Sequence, residues 1–141
     1  MGALPEPSSP RRPAVSAGAA SAGAAPLTCQ RLPGISVVAI AGDIDRTSSG
    51  HLADQLQQVL RPGDHVVLDL SELTFLDSSG LHVLLACHRQ CAAQQRSLHL
   101  AAVRGMPARL LRITGVDQHL PVHADVQQAL TVLLANPADE G

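Results

Sequence analysis

The sequence predicts an α/β domain with a mostly parallel or mixed sheet and helices that cover at least one of its faces. Short runs rich in Val, Ile and Leu alternate along the chain with segments whose apolar residues recur at helical spacing. This alternation is typical of strands that are connected by helices. Two Pro-Gly pairs, at 33–34 and 62–63, separate segments of this kind, and such pairs mark turns and helix ends.

The chain divides into a tail and one domain. Its 141 residues are enough for a single domain with a buried core. Residues 1–26 are almost entirely Ala, Gly, Ser and Pro, and we expect a disordered tail because so little apolar bulk does not offset the entropy of ordering. Residues 137–141 are expected to be a flexible C-terminus. The folded domain is therefore predicted to span residues 27–136.

The first elements are predicted to be a hairpin and a helix. Two β-like runs, 27–32 and 35–42, flank Pro33-Gly34, and Pro and Gly are typical turn residues. A helix is predicted over 47–60, where apolar residues recur at helical spacing. Pro62-Gly63 ends this helix, since Pro does not continue it.

The middle of the domain is predicted to be a central strand followed by a second helix. Residues 65–70, HVVLDL, form a β-branched run that suits a strand buried on both faces. Residues 78–94 have a helical pattern. The apolar stripe of this second helix consists of Leu81, Leu84, Leu85 and His88.

The last elements are shorter. Residues 97–103 are predicted to be a strand and residues 106–114 a helix, which Gly115 ends as a left-handed cap. A last short strand is predicted at 120–123. A closing helix is predicted over 124–135.

Composition excludes several classes of function. The formal charge is −2 and the chain has no Lys, so it lacks the basic footprint of a nucleic-acid or anionic-membrane binder. One Phe and no other aromatic residue give no stacking platform for single strands. Dinucleotide and phosphate-loop motifs are absent. No apolar stretch reaches the length of about 20 residues that spans a bilayer, and we expect a cytoplasmic protein with no cofactor.

The three cysteines do not match a disulfide framework, which is consistent with a reducing compartment. Cys87 and Cys91 are four residues apart and would share one side of a helix, with His88 beside them. A metal site is one interpretation of this cluster. We favour two buried thiols and no metal, because free Cys behaves as a small apolar residue. Cys29 lies far from this pair in the sequence.

Asp43 and Asp45 end the second predicted strand. Strand alternation places both side chains on the same side. One interpretation is a pair of carboxylates that binds a cation or transfers protons. The other is that both are solvated and that Asp45 helps to cap the helix that starts near Thr47.

Asp77-Ser78-Ser79-Gly80 opens the second helix. Asp and Ser are ordinary capping residues, and a cap stabilises a helix by about 1 kcal/mol. A serine at a strand-to-helix turn is also found in hydrolases, but L-D-S-S-G lacks the G-x-S-x-G pattern, and no histidine base can be placed. A phosphate on Ser78 is the third interpretation. It would add roughly −1.5 to −2 charges to an otherwise neutral docking surface at a helix N-terminus.

The segment HVVLDLSELTFLDSSGLHVLL resembles the phosphorylatable segment of STAS domains, specifically of bacterial anti-sigma-factor antagonists. Residues 38–45 resemble the family's G-E-[LI]-D strand end, and residues 110–117 resemble its L-x-x-x-G-[LV] helix end. Residues 128–130 resemble its closing E-A-L segment. The resemblance covers nearly all of residues 27–136.

This resemblance implies a single STAS-like domain, with a mixed β-sheet and helices packed mainly on one face. It also implies a non-enzymatic partner switch. The unphosphorylated antagonist binds an anti-sigma factor that is a serine kinase, and this binding frees a sigma factor. The kinase then phosphorylates the serine after Asp, and a serine phosphatase reverses the modification. By position, the acceptor is Ser78.

The resemblance also implies a partner-binding surface around Ser78, with Asp45 and Asp77 as acidic residues near the acceptor. Asp43 replaces a more usual Glu, and His82 stands where many members have Gly. The partner-binding residues predicted in this way are Asp43, Asp45, Asp77, Ser79, Gly80, Leu81 and His82. The alternatives are a STAS subunit of a lipid-transport or stress-signalling complex, or a small serine hydrolase.

Overall fold

The fold begins with a β-hairpin. In the computed structural model, which describes residues 27–135, β1 (Leu27–Leu32) pairs antiparallel with β2 (Ile35–Ile44). Gly34 closes the turn at a φ of +76°, in the left-handed region that favours glycine. The predicted hairpin is confirmed, and its second strand is longer than predicted. The predictions for 1–26 and 137–141 lie outside the described residues.

Within residues 27–135, a mixed five-stranded sheet forms the centre of the domain. The later elements are α1 (Ser49–Val59), β3 (His65–Leu76), α2 (Ser78–Ala93), β4 (Leu98–Ala101), α3 (Gly105–Thr114), a 3-10 turn (Val116–Gln118), β5 (Val122–His123) and α4 (Val126–Leu134). The strand order is β1-β2-β3-β4-β5. Strands β2 to β5 run parallel to one another, and β1 is antiparallel to β2. The mixed sheet and the central position of β3 are confirmed.

Three helices cover one face of this sheet. Leu52 of α1, Leu84 of α2 and Leu111 of α3 belong to one buried cluster with the large apolar side chains of β2, β3 and β4. On the other face, Ala129 and Leu133 of α4 belong to a smaller cluster. The prediction that the helices pack mainly on one face is therefore confirmed for the described residues.

The prediction for the central strand was wrong at its end. It placed the end at residue 70, whereas β3 continues to Leu76. Register shifts interrupt the β2–β3 pairing between Ala39 and Ala41 and between Gly42 and Asp43. Such irregularities break the two-residue alternation from which a strand is read. The extension brings the end of β3 level with the end of β2, where the Asp77 N–H donates to the Ile44 carbonyl at 3.2 Å.

Other element ends also differ from the prediction. The strand predicted at 97–103 covers only Leu98–Ala101, and the first helix starts at Ser49 rather than Thr47. Gly115 ends α3 with a φ of +80°, as predicted. Within residues 27–135, no helix has the length and apolar character needed to cross a membrane.

Candidate functional site

Asp77 is the N-cap of α2. Its Oδ1 accepts hydrogen bonds from the Ser79 N–H at 3.0 Å, the Gly80 N–H at 3.2 Å and the Ser79 hydroxyl at 2.5 Å. The pKa of Asp77 is lowered below its ordinary value, mainly by the hydrogen bond from the Ser79 hydroxyl. Desolvation and the nearby charge of Asp45 raise this pKa, but they do not cancel the effect. Asp77 is therefore ionised at neutral pH, and Ser79 shares its capping role.

Ser78 differs from its neighbour in both exposure and hydrogen bonding. It is the first residue of α2, and its side chain is exposed. Among residues 27–135, no group forms a hydrogen bond with its hydroxyl. Among residues 27–135, Ser78 therefore lacks the contact with a histidine by which a hydrolase activates its serine. An external enzyme can reach this hydroxyl without disturbing the cap.

Asp45 organises the turn that leads into α1. Its Oδ1 accepts from the Thr47 N–H at 2.9 Å, the Thr47 hydroxyl at 2.7 Å and the Ser48 N–H at 3.2 Å. The hydrogen bond from the Thr47 hydroxyl is the main cause that lowers the pKa of Asp45. Residues 46–48 form a turn, so α1 begins two residues later than predicted, and the Ser49 N–H bonds the Asp45 carbonyl at 2.8 Å. This agrees with the interpretation of Asp45 as a residue that helps to start the helix.

Asp43 bonds to a different partner from Asp45. It is exposed, and its Oδ1 accepts from the Thr74 hydroxyl of β3 at 2.5 Å. The two carboxylates are therefore held in separate hydrogen-bond networks. Within residues 27–135, there is no group of three or more His, Cys, Asp or Glu side chains that would hold a metal ion. The cation interpretation of this pair has no support from these contacts.

Gly80 and Leu81 lie beneath the surface, although both were predicted to bind the partner. Gly80 is buried, and a Cβ at this position would lie 2.6 Å from Cδ1 of Leu76 and 2.7 Å from Cγ2 of Ile44. Leu81 is 6% exposed. A docking partner therefore has little access to either residue. Gly80 lets α2 approach the ends of β2 and β3, and Leu81 anchors the helix in the buried cluster, so both help to fix the position of Ser78.

Phe75 is a surface residue that the sequence patterns did not indicate. It is 38% exposed, and it pairs with Asp43 across β2 and β3. It is the only aromatic residue of the chain, and it stands three positions before Ser78. These two facts could have indicated Phe75 as a surface residue near the acceptor from the sequence alone. On the helical side of Ser78, His82 is exposed one turn along α2.

Asp43 pairs with Phe75 and the charge of Asp45 acts on Asp77, so these residues lie at the ends of β2 and β3 in what we call the acceptor surface. Its members are Asp43, Asp45, Phe75, Asp77, Ser78 and His82. The expectation that this surface is neutral was wrong, because it carries three carboxylates. Hydrogen bonds lower the pKa of two of them, Asp45 and Asp77. A phosphate on Ser78 would therefore add to negative charge that is already present.

The fold and the site define a small α/β module with a solvent-facing serine at the head of its second helix. The chain belongs to the STAS domain family, whose model matches residues 27–129. This match includes the whole sheet, the acceptor surface and the first turn of α4.

Relatives in this family carry a common description. The chain is 29% identical over 102 residues to an anti-sigma F factor antagonist of Paenibacillus polymyxa, which covers 71% of this chain and 87% of the relative. It is 30% identical over 87 residues to an anti-sigma-B factor antagonist of Bacillus subtilis (strain 168), which covers 62% of this chain and 80% of the relative. A crystal structure of an anti-sigma factor antagonist from Mycobacterium paratuberculosis superposes with a TM-score of 0.71 at 26% identity, over 79% of this chain and 96% of that chain.

Proposed function

We propose that this protein is an anti-sigma-factor antagonist and that phosphorylation of Ser78 switches off its binding to an anti-sigma factor. One observation carries the proposal: the Ser78 hydroxyl is exposed and unengaged within the described residues, whereas the adjacent Ser79 hydroxyl is bonded to the helix cap. The descriptions of the relatives support the antagonist interpretation over a role in lipid transport or stress signalling.

The partner in this proposal is an anti-sigma factor with serine kinase activity. The unphosphorylated protein binds it through the acceptor surface, and a sigma factor is released. The kinase then transfers the γ-phosphoryl group of ATP to Oγ of Ser78, which loses its proton, and ADP leaves. A serine phosphatase later hydrolyses the ester. The protein supplies the acceptor and the docking surface, acts in the cytoplasm, and has no catalytic role or cofactor of its own.

Charge explains why the phosphorylated form would be released. The phosphate would lie at the N-terminus of α2, where the helix dipole stabilises an anion. It would also lie beside Asp77, with Asp45 nearby, and both carboxylates are ionised at neutral pH. A partner that fits the unmodified surface would have to bury this added charge without compensation, which can cost several kcal/mol. The fold itself would remain, since Asp77 and not Ser78 caps the helix.

A phosphorylation assay tests the proposal. The full-length protein is incubated with ATP and the anti-sigma-factor serine kinase of its own organism, and its intact mass is measured. One phosphate is expected, and it should be absent from Ser78→Ala. Ser79→Ala is the matched control and should still accept the phosphate. Turnover of an ester substrate with burst kinetics, and no phosphate uptake, would favour the serine hydrolase instead.

A further inference from the structure

Cys87 and Cys91 lie side by side on one face of α2. They are four residues apart in a helix, a spacing that places side chains about 5–6 Å apart at Cβ. Both residues are buried, with 4% and 6% of their surface exposed. Both also border a cavity of about 230 Å³ between α1 and α2, and Leu60, Gln57 and Gln90 form part of its wall. The two sulfur atoms are therefore close to each other and face the same space.

A second cavity extends this groove. Its volume is about 180 Å³, and Cys87 borders it as well. The other residues around it are mostly small or apolar: Ala53, Leu56, Leu60, Val83 and Ala86. A ligand attached to the two sulfur atoms would thus have an apolar compartment directly beside it.

The two thiols differ in acidity because they contact each other. The Cys87 thiol donates a hydrogen bond to the Cys91 sulfur, which lowers the pKa of Cys91. The same contact, together with burial, raises the pKa of Cys87. The contact itself places the two sulfur atoms close enough to bind one and the same atom.

The surroundings restrict which species would fit this pair. A structural zinc ion takes four ligands, whereas the described residues provide no group of three or more metal-binding side chains. A copper(I) ion between two thiolates would leave a net negative charge at this buried pair, and Arg61 in the cavity wall is already paired with Asp64. Trivalent arsenic with one organic substituent forms two bonds to sulfur and leaves the product neutral.

We infer that Cys87 and Cys91 form a dithiol site for trivalent arsenic compounds that carry one apolar organic group. In the reaction, an arsine oxide R–As=O and two thiols give R–As(S-Cys)₂ and one water molecule. Two As–S bonds form, the As=O bond and two S–H bonds break, and both protons leave in the water. Arsenic stays trivalent, so no oxidant or reductant is required. The organic group would occupy the apolar cavity. This site is separate from the switch at Ser78.

Phenylarsine oxide is the probe for the test. The reduced full-length protein is treated with one equivalent, and its intact mass and remaining free thiols are measured. One phenylarsenic group should be gained and two of the three thiols should disappear. The adduct should survive an excess of 2-mercaptoethanol and be removed by 2,3-dimercaptopropanol. Cys29→Ser should behave like the unmodified sequence, whereas Cys87→Ser and Cys91→Ser should each lose the adduct that resists 2-mercaptoethanol.

Three outcomes would overturn the inference. The first is an adduct of Cys87→Ser or Cys91→Ser that resists 2-mercaptoethanol. If circular dichroism shows that a Ser variant does not fold, the corresponding Ala variant is used instead. The second is a native protein that does not react although the urea-unfolded protein does. The third is equal retention of phenylarsine oxide and inorganic arsenite. Burial of a phenyl group in the apolar cavity predicts that phenylarsine oxide is retained at least about tenfold more tightly than arsenite.

Discussion

The Ser79 hydroxyl donates to Oδ1 of Asp77 at 2.5 Å, and this hydrogen bond separates the roles of two adjacent serines. Ser79 is part of the helix cap, and its hydroxyl is already engaged. Ser78, one position earlier, is exposed and contributes nothing to the cap. A chemical change at Ser78 can therefore alter the surface while the start of α2 stays in place.

Replacement of Ser78 by Asp should abolish partner binding without unfolding the domain. The added carboxylate would join Asp77 and Asp45 on a surface that is already acidic, and the capping hydrogen bonds of Asp77 would persist. Binding to the anti-sigma factor is measured by pull-down and stability by the thermal midpoint. Ser78→Ala is the matched control and should bind constitutively. An unfolded Ser78→Asp variant would show instead that this residue is structural.

Replacement of Asp77 by Ala should destabilise the protein by about 1 kcal/mol. The change removes the acceptor of the hydrogen bonds that begin α2, and lost caps typically have this cost. Asp77→Asn should recover most of the loss, because Asn is also a good cap. Urea denaturation at pH 7 measures both variants. Equal stability of Asp77→Ala and the unchanged sequence would contradict the capping role.

Stability should fall in acid in a way that depends on Asp45 and Asp77. The folded state lowers the pKa of both groups below 3.8, so their contribution is fully present above about pH 4. It is lost as the pH falls from there through their folded pKa values. Urea midpoints at pH 6, 4 and 3 are compared with those of the Asp45→Asn, Asp77→Asn double variant. The double variant should show the weaker pH dependence; parallel curves would exclude these two groups as the cause.

Replacement of Gly80 by Ala should cost about 1–3 kcal/mol, because the new Cβ would overlap Leu76 and Ile44. Gly50, in the first turn of α1, is the matched control, since nothing lies within 4 Å of a Cβ there. Gly50→Ala should be neutral or slightly stabilising. The free energies of unfolding of the two variants are compared by urea denaturation. Similar values would show that the contact of α2 with the strand ends is loose.

Replacement of Phe75 by Ala should weaken binding to the anti-sigma factor at least tenfold and change stability little. Aromatic side chains near the centre of an interface often dominate its affinity, and Phe75 is 38% exposed and pairs with Asp43 on the acceptor surface. Leu134→Ala is the control, because Leu134 is exposed on α4 and lies beside Gly34, at the opposite end of β2 from the acceptor surface. Calorimetric titration measures both affinities. An equal effect of the two changes would remove Phe75 from the interface.

The sequence predicted what depends on local pattern and missed what depends on contacts between distant residues. The hairpin, the alternation of strands and helices and the cap at Gly115 are encoded by turn residues and periodicity, and they were predicted. The extension of β3 to Leu76 was missed, because register shifts hide its alternation. The burial of Gly80 depends on Ile44, which is distant in sequence. The resemblance selected Ser78 by its position after Asp77, but the physical difference between the two serines, the hydrogen bond from Ser79 to Asp77, is visible only in the structure.

The position of α4 has a practical consequence. Because this helix packs on the sheet face opposite α1 and α2 and ends beside Gly34, at the start of β2, a fluorescent dye attached at the exposed residue Leu134 would be separated from the acceptor surface by the length of β2. The fluorescence polarisation of the dye would rise when the anti-sigma factor binds, because the complex tumbles more slowly, and would fall when the partner is released.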